Sequence, residues 1–293
     1  MSKMHKNELE IDEQLVRALL KSQCPQWAQL PLQRIKSSGT DHALFRLGNN
    51  YVIRLPRLPG SDQNSDKECL WLPKLAHFLK TPISASIFKG TASDNYPLAW
   101  MVTTWFDGEP SAFRNDHASP SLATELADFV NALHAIKLEG GPLSRRGISL
   151  ITLNDEIRQC LTSLKTDIDV TMVATLWEKL SHLPDWHHDP VWVHGDLLPG
   201  NIIVKNNSLH AVIDWSDVGM GDPACDCTIA WSLFNASIRN IFKTGLNNIS
   251  DIDWERGRGR ALAIALIIMP YYKQSNPVLY ETGKRIVEQV LQG

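Results

Sequence analysis

Residues 191–226 read VWVHGDLLPGNIIVKNNSLHAVIDWSDVGMGDPACD. Within this stretch His194-Gly195-Asp196 is followed by Asn201, five residues after the aspartate, and Asp214 stands 18 residues after Asp196 at the end of the apolar run Ala211-Val212-Ile213. The short apolar runs read as a cluster of strands between Val191 and Ile213, with the polar groups in their connections. Pro199-Gly200 makes the reversal between Asp196 and Asn201 easy, because proline presets one dihedral and glycine tolerates most.

On either side the character differs. A first segment, about Leu9 to Ser22, carries Val16, Leu19 and Leu20 at helical spacing. Residues 33–38, 42–47 and 51–55 then read as short strands, with Gly48-Asn49-Asn50 as the turn between the last two. A helix is expected from Ser65 to Leu79, followed by strand-like runs at 86–90 and 98–105. Beyond Asp107-Gly108-Glu109-Pro110 the pattern is helical at 120–138, 154–165, 171–183, 222–236, 253–269 and 277–291, the strand cluster excepted. This is an α+β, bilobal layout, with a small β-rich lobe over residues 1–105 and a larger, mainly helical lobe over residues 106–293.

The spacing in 191–226 suits phosphoryl transfer, which asks a protein for positioning and charge neutralisation more than for covalent chemistry. An aspartate on a loop between strands can face a substrate hydroxyl. An amide oxygen from Asn201 and a strand-end carboxylate from Asp214 can reach one Mg²⁺, a cation that prefers hard oxygen ligands. The H-x-D-x-x-x-x-N spacing is that of the protein-kinase catalytic loop, but Gly195 stands where that loop has arginine, and Trp215-Ser216 stand where Phe-Gly would follow the second aspartate. HGDLLPGNIIV followed by VIDWSDVGMGDPACD resembles instead the aminoglycoside phosphotransferase family, a branch of the protein-kinase-like fold that phosphorylates small molecules. The resemblance implies Asp196 as catalytic base and Asn201 and Asp214 as magnesium ligands. It also implies ATP or GTP as phosphate donor.

The first third supplies candidates for the rest of such a site. Strict alternation in Tyr51-Val52-Ile53-Arg54-Leu55 puts Tyr51, Ile53 and Leu55 on one face of a strand and Val52 and Arg54 on the other. The resemblance makes Val52 an adenine contact and Arg54 the phosphate cation, where a guanidinium can hold two oxygens at once; Arg57 is the alternative. Glu68 shares a helical stripe with Leu72, Leu75 and Leu79 and is the expected partner of Arg54, although Ser65-x-x-Glu68 also fits a capping box. Ser37-Ser38-Gly39-Thr40-Asp41 sits where kinases place a phosphate-cradling loop and carries one glycine. The run from Trp100 to Phe106 resembles the final strand and linker, whose backbone at Thr103, Thr104 and Trp105 would hydrogen-bond adenine.

Other features read as structural. His194 is expected to hold its loop by packing, and Asp222 and Asp226 to anchor that loop from a helix start. His187-His188-Asp189 reads as a polar turn. Arg256, Arg258 and Arg260 read as mostly solvated, or paired with Asp251, Asp253 and Glu255, with substrate contact as the lesser alternative. The apolar run from Ala261 through Tyr272 is too short to span a membrane and reads as a buried core helix. Ten tryptophans point to well-packed cores.

Composition narrows the classes. The 293 residues are 43% hydrophobic and 21% charged, with 29 basic against 32 acidic residues, a balance that lacks the basic excess of a nucleic-acid binder. The polar opening MSKMHKNELE is unlike a signal peptide. Cys24, Cys69, Cys160, Cys225 and Cys227 are odd in number and irregularly spaced, which disfavours a disulfide framework and suits the cytoplasm. Cys225 and Cys227 read as buried helix cysteines. The expected partners are a nucleoside triphosphate and a small-molecule hydroxyl acceptor, with neither nucleic acid nor membrane. Within the resemblance the acceptor is an aminoglycoside-type antibiotic or, alternatively, a macrolide, a choline-like alcohol, a sugar or another metabolite. A nucleotide-binding pseudokinase is the reading from a different class, and the presence of Asp196, Asn201 and Asp214 argues against it.

Overall fold

A computed structural model describes residues 7–35, 39, 41–60, 63–113 and 119–293. Helix α1 (Glu13–Gln23), capped by Asp12, packs Val16, Leu19 and Leu20 against a five-stranded antiparallel sheet. The strands are β1 (Leu32–Arg34), β2 (His42–Leu47), β3 (Tyr51–Pro56), β4 (Ser86–Gly90) and β5 (Trp100–Thr104), in the spatial order β1-β2-β3-β5-β4. Alternation along β3 holds: Ile53 and Leu55 are fully buried in the core under α1, while Val52 and Arg54 face a cavity. Register Val52↔Thr103 and Arg54↔Met101 places the cavity-facing residues of β3 beside the end of β5.

Helix α2 (Gln63–Leu75) begins ahead of Ser65, so Ser65 lies inside it and the capping-box reading of Ser65 and Glu68 is set aside. The helix ends at Leu75 rather than Leu79. Pro73 has no amide hydrogen to donate to the carbonyl one turn back, and residues 76–78 continue only as looser turns. Leu72 and Leu75 join a second and larger apolar core, built by the helices of the later part of the chain.

That part contains α3 (Pro120–His134), α4 (Asn154–Ser163), α5 (Val170–Ser181), α6 (Ile229–Leu233), α7 (Ala236–Gly245), α8 (Asp251–Tyr272) and α9 (Pro277–Leu291). The helix expected over 222–236 is instead a 3₁₀ stretch, Pro223–Thr228, followed by short α6; α7 is an additional helix. Between the helices lie β6 (Glu109–Pro110), β7 (Val191–Val193), β8 (Ile202–Lys205), β9 (Ser208–Val212) and β10 (Gly219–Gly221). They form a β6-β8-β9 sheet and a β10-β7 pair. The amide of Val212 donates to the Pro82 carbonyl at 3.0 Å, tying the strand that leads into Asp214 to the segment between α2 and β4. Among the described residues no helix is long and apolar enough to cross a membrane.

Candidate active site

One cavity of about 460 Å³ collects the candidate residues: Gly39 from between β1 and β2, Val52 and Arg54 from β3, Thr103 to Phe106 from the end of β5 and just beyond it, and Asp196, Asn201 and Asp214 from the strand cluster. Ser37, Ser38 and Thr40 lie outside the described residues. Asp196 stands on the connection after β7. Its carboxylate accepts from the Asn201 amide at 3.2 Å, and the same Asn201 nitrogen donates to the Asp196 carbonyl at 2.8 Å. Those two bonds fix which way the amide points, leaving Oδ1 of Asn201 as the group to offer a cation. Asp214 follows β9 with φ +60°, a left-handed conformation that costs a non-glycine residue about 1–3 kcal/mol.

Arg54 is the electrostatic hub. Buried at 6% exposure, it donates to Glu68 Oε2 at 2.6 Å and to Asp214 Oδ1 at 3.0 Å. Burial works against its charge, but the two carboxylates outweigh that and hold the guanidinium above its ordinary value. Arg57, the alternative cation, pairs with Glu8 at 2.5 Å and does not line the cavity. Glu68, at 1% exposure, shares α2 with Leu72 and Leu75 of the expected stripe, Leu79 lying past the helix end, and has a cation in front of it.

Burial, only partly offset by Arg146, raises the Asp196 carboxyl to about 6. A carboxylate of that basicity is ionised at neutral pH yet closer to it than an ordinary aspartate, which suits proton abstraction. As for a metal, no group of three or more His, Cys, Asp or Glu side chains among the described residues could hold one by itself. Asn201 and Asp214 provide one amide oxygen and one carboxylate, a donor set that fits Mg²⁺ completed by substrate phosphates and water.

The backbone of the linker departs from expectation at one point. The Trp105 amide donates to the Asn50 carbonyl at 2.8 Å, so it is not available to hydrogen-bond a base. Trp105 still lines the cavity, its indole bonded to Asp107 at 2.9 Å and covered by the Arg46 guanidinium.

The phosphotransferase enzyme family model matches residues 32–260, well over half of the chain. The chain belongs to this family. A relative in Bacillus subtilis (strain 168), the uncharacterized protein YcbJ, is 27% identical over 210 residues, covering 64% of this chain and 64% of that protein. This chain thus spans less than two thirds of that relative's length. Among solved structures, the GDP complex of aminoglycoside 2'-phosphotransferase-IIIa superposes with a TM-score of 0.71 at 17% identity, over 96% of this chain and 99% of that one. The apoenzyme of macrolide 2'-phosphotransferase MphH from Brachybacterium faecium gives 0.62 at 21% identity, over 94% and 98%. The phosphotransferase fold is therefore the bilobal kinase-like one.

In this phosphotransferase the loop carrying Asp196 is anchored from behind. Asp226 accepts from the amides of His194 (3.1 Å) and Gly195 (3.0 Å), while the His194 ring sits against Trp215 with centroids 4.5 Å apart. Gly195 has φ +81°, and a Cβ there would meet the Asp217 carbonyl oxygen at 2.7 Å, so only glycine fits. Asp222 does not start an α-helix; it caps the 3₁₀ stretch and pairs with Arg256 (2.9 Å) and Arg260 (3.0 Å). This corrects the reading of those arginines as mostly solvated: both are buried, although Arg256 does also reach Asp253 and Arg258 does reach Glu255. Cys225 and Cys227 are buried in that 3₁₀ stretch rather than in an α-helix, and burial pushes the Cys225 thiol up to about 12.

Arg146 is the residue that sequence reasoning missed. Its guanidinium contacts Asp196 Oδ1 at 3.4 Å and Asp217 Oδ2 at 3.0 Å, and its carbonyl accepts from Arg260. Arg145-Arg146-Gly147 looks like any basic surface turn in the sequence, and only the fold carries it to the candidate base.

Proposed function

We propose that the protein transfers the γ-phosphate of ATP or GTP to a hydroxyl of a small molecule. The observation that carries this reading is the convergence of Asp196, Asn201, Asp214 and the Arg54–Glu68 pair on one cavity. In this reading residues 1–105 form the nucleotide-binding lobe and residues 106–293 the catalytic and acceptor-binding lobe. Asp196 takes the proton of the attacking hydroxyl onto its carboxylate. Asn201, through its bonds to Asp196, keeps that carboxylate in place and offers its amide oxygen to Mg²⁺ beside Asp214. Bound there, Mg²⁺ would neutralise phosphate charge. Arg54, oriented by Glu68, steadies the phosphates, and Val52, Gly39 and the Thr103–Trp105 segment enclose the base and sugar.

The solved relatives act on aminoglycosides and macrolides by their names, and antibiotic modification in the cytoplasm is one role that fits; a metabolite alcohol is another. A coupled ADP-release assay over a panel of hydroxyl acceptors, with and without Mg²⁺, tests the proposal. Mg²⁺-dependent release stimulated by one acceptor class supports it. Tight nucleotide binding with no turnover on any acceptor would favour a regulatory, non-catalytic protein instead.

A further inference from the structure

Helix α8 is apolar on more than one side. Ala261, Leu262, Ala265, Leu266 and Met269 are buried in the larger core. Ile264, Ile267 and Ile268 stay half-buried and line the cavity that contains Asp196, with Ile267 also packed against that core. Tyr272, at the end of α8, and Val278 and Leu279, in the first turn of α9, continue the same wall. This corrects the expectation that the run from Ala261 through Tyr272 is simply a core helix. A helix that is hydrophobic all round is normally covered all round. Here one stripe is left open, and it opens into the cavity that holds the candidate base.

The stripe is joined to the chemistry at one end. Arg260 donates to the carbonyl of Arg146, whose guanidinium contacts Asp196. Ile264, Ile268 and Tyr272 follow Arg260 at intervals of four residues, so the wall they form runs for about 12 Å along the helix axis from the end nearer Arg260. The seven cavity-lining residues of α8 and α9 include no charged side chain, and the Thr282 hydroxyl is bonded to the Val278 carbonyl of its own helix at 2.8 Å.

Charge in the cavity lies elsewhere. Among the described lining residues the carboxylates are Asp41, Asp196, Asp214 and Asp217, and the guanidiniums are Arg54 and Arg146. Asp214 is paired with Arg54, and Asp196 and Asp217 with Arg146. A polyamine laid along this wall would find no carboxylate on the α8 and α9 lining residues to partner its ammonium groups there, and desolvating them is costly. A broad hydrocarbon face would instead remove apolar surface from water.

Resting on the phosphotransfer reading above, we infer that the acceptor is an alcohol with an extended hydrocarbon face laid along Ile264, Ile268 and Tyr272, and not a polycation. The test is a titration of the full chain with N-phenyl-1-naphthylamine, a neutral apolar fluorophore, run with and without ADP and Mg²⁺. Saturable binding is expected, weakened at least tenfold by Ile264→Asp with Ile268→Asp and independently by Val278→Glu on the other helix, and retained in Ile268→Leu. ADP affinity, measured separately on each variant, serves as the folding control. Kanamycin should neither displace the fluorophore nor be phosphorylated, while erythromycin, a macrocyclic lactone, should displace it. No saturable binding, unchanged affinity in the aspartate and glutamate variants, or kanamycin turnover exceeding that of erythromycin overturns the inference. Failure of the wild-type chain to bind ADP would instead count against the phosphotransfer reading, and the nucleotide-free titration would still read the wall.

Discussion

Replacing Asp196 with asparagine removes a charge that the fold holds at a cost. The carboxyl is raised from its ordinary 3.8 to about 6. Between those values the folded protein binds more protons than the unfolded chain, so stability falls as pH rises through the window and stays lower above it. The shift corresponds to about 3 kcal/mol. Because the side chain keeps 20% of its surface open to water, screening reduces this to about 2 kcal/mol. The substituted amide would keep the shape and the bond from Asn201 without the charge. Urea unfolding of wild type and Asp196→Asn at pH 8 and at pH 4 isolates the effect, since any pH-independent difference between the two chains cancels. The variant should gain about 2 kcal/mol relative to wild type on going from pH 4 to pH 8, while losing phosphotransfer. A difference between the chains that is the same at both pH values would refute the reasoning.

Three further outcomes follow from the same geometry. Glu68→Ala strands the buried Arg54 with Asp214 alone and should destabilise the protein by about 3 kcal/mol in urea unfolding while raising KM for the nucleotide. Asp222→Ala leaves Arg256 and Arg260 short of their shared carboxylate and should cost about 3–5 kcal/mol in the same assay, with the cysteine thiols nearby becoming reactive to a thiol reagent. Arg146→Met removes the cation that holds the Asp196 carboxyl down, so the acidic limb of the kcat/KM profile should move to higher pH.

Much of the sheet side of the candidate site was legible because it depends on local rules. A two-residue period fixes which face Val52 and Arg54 share, and a helical period puts Glu68 with Leu72 and Leu75. The Asp196-to-Asn201 spacing lies within one connection, so the chain itself enforces their proximity. What escaped depends on contacts between distant segments. Asp222 meets Arg256 and Arg260 only after the 3₁₀ stretch is laid against α8. Arg146 reaches Asp196 from 50 residues away in sequence. Periodicity alone does not distinguish an apolar helix face that meets the core from one that meets a cleft, which is why the open side of α8 was invisible. Helix α7 did carry a signal, with Asn235 as cap and Ile238, Ile241 and Phe242 at helical spacing.

The role of Asp196 as base is tested with a radiolabelled donor. Wild type and Asp196→Ala are each given γ-labelled ATP or GTP, Mg²⁺ and an acceptor on which wild type is active, with nucleotide affinity measured in parallel. Labelled product is expected from wild type and none above background from the variant, at undiminished nucleotide affinity. Labelled product formed by Asp196→Ala at the wild-type rate would contradict it.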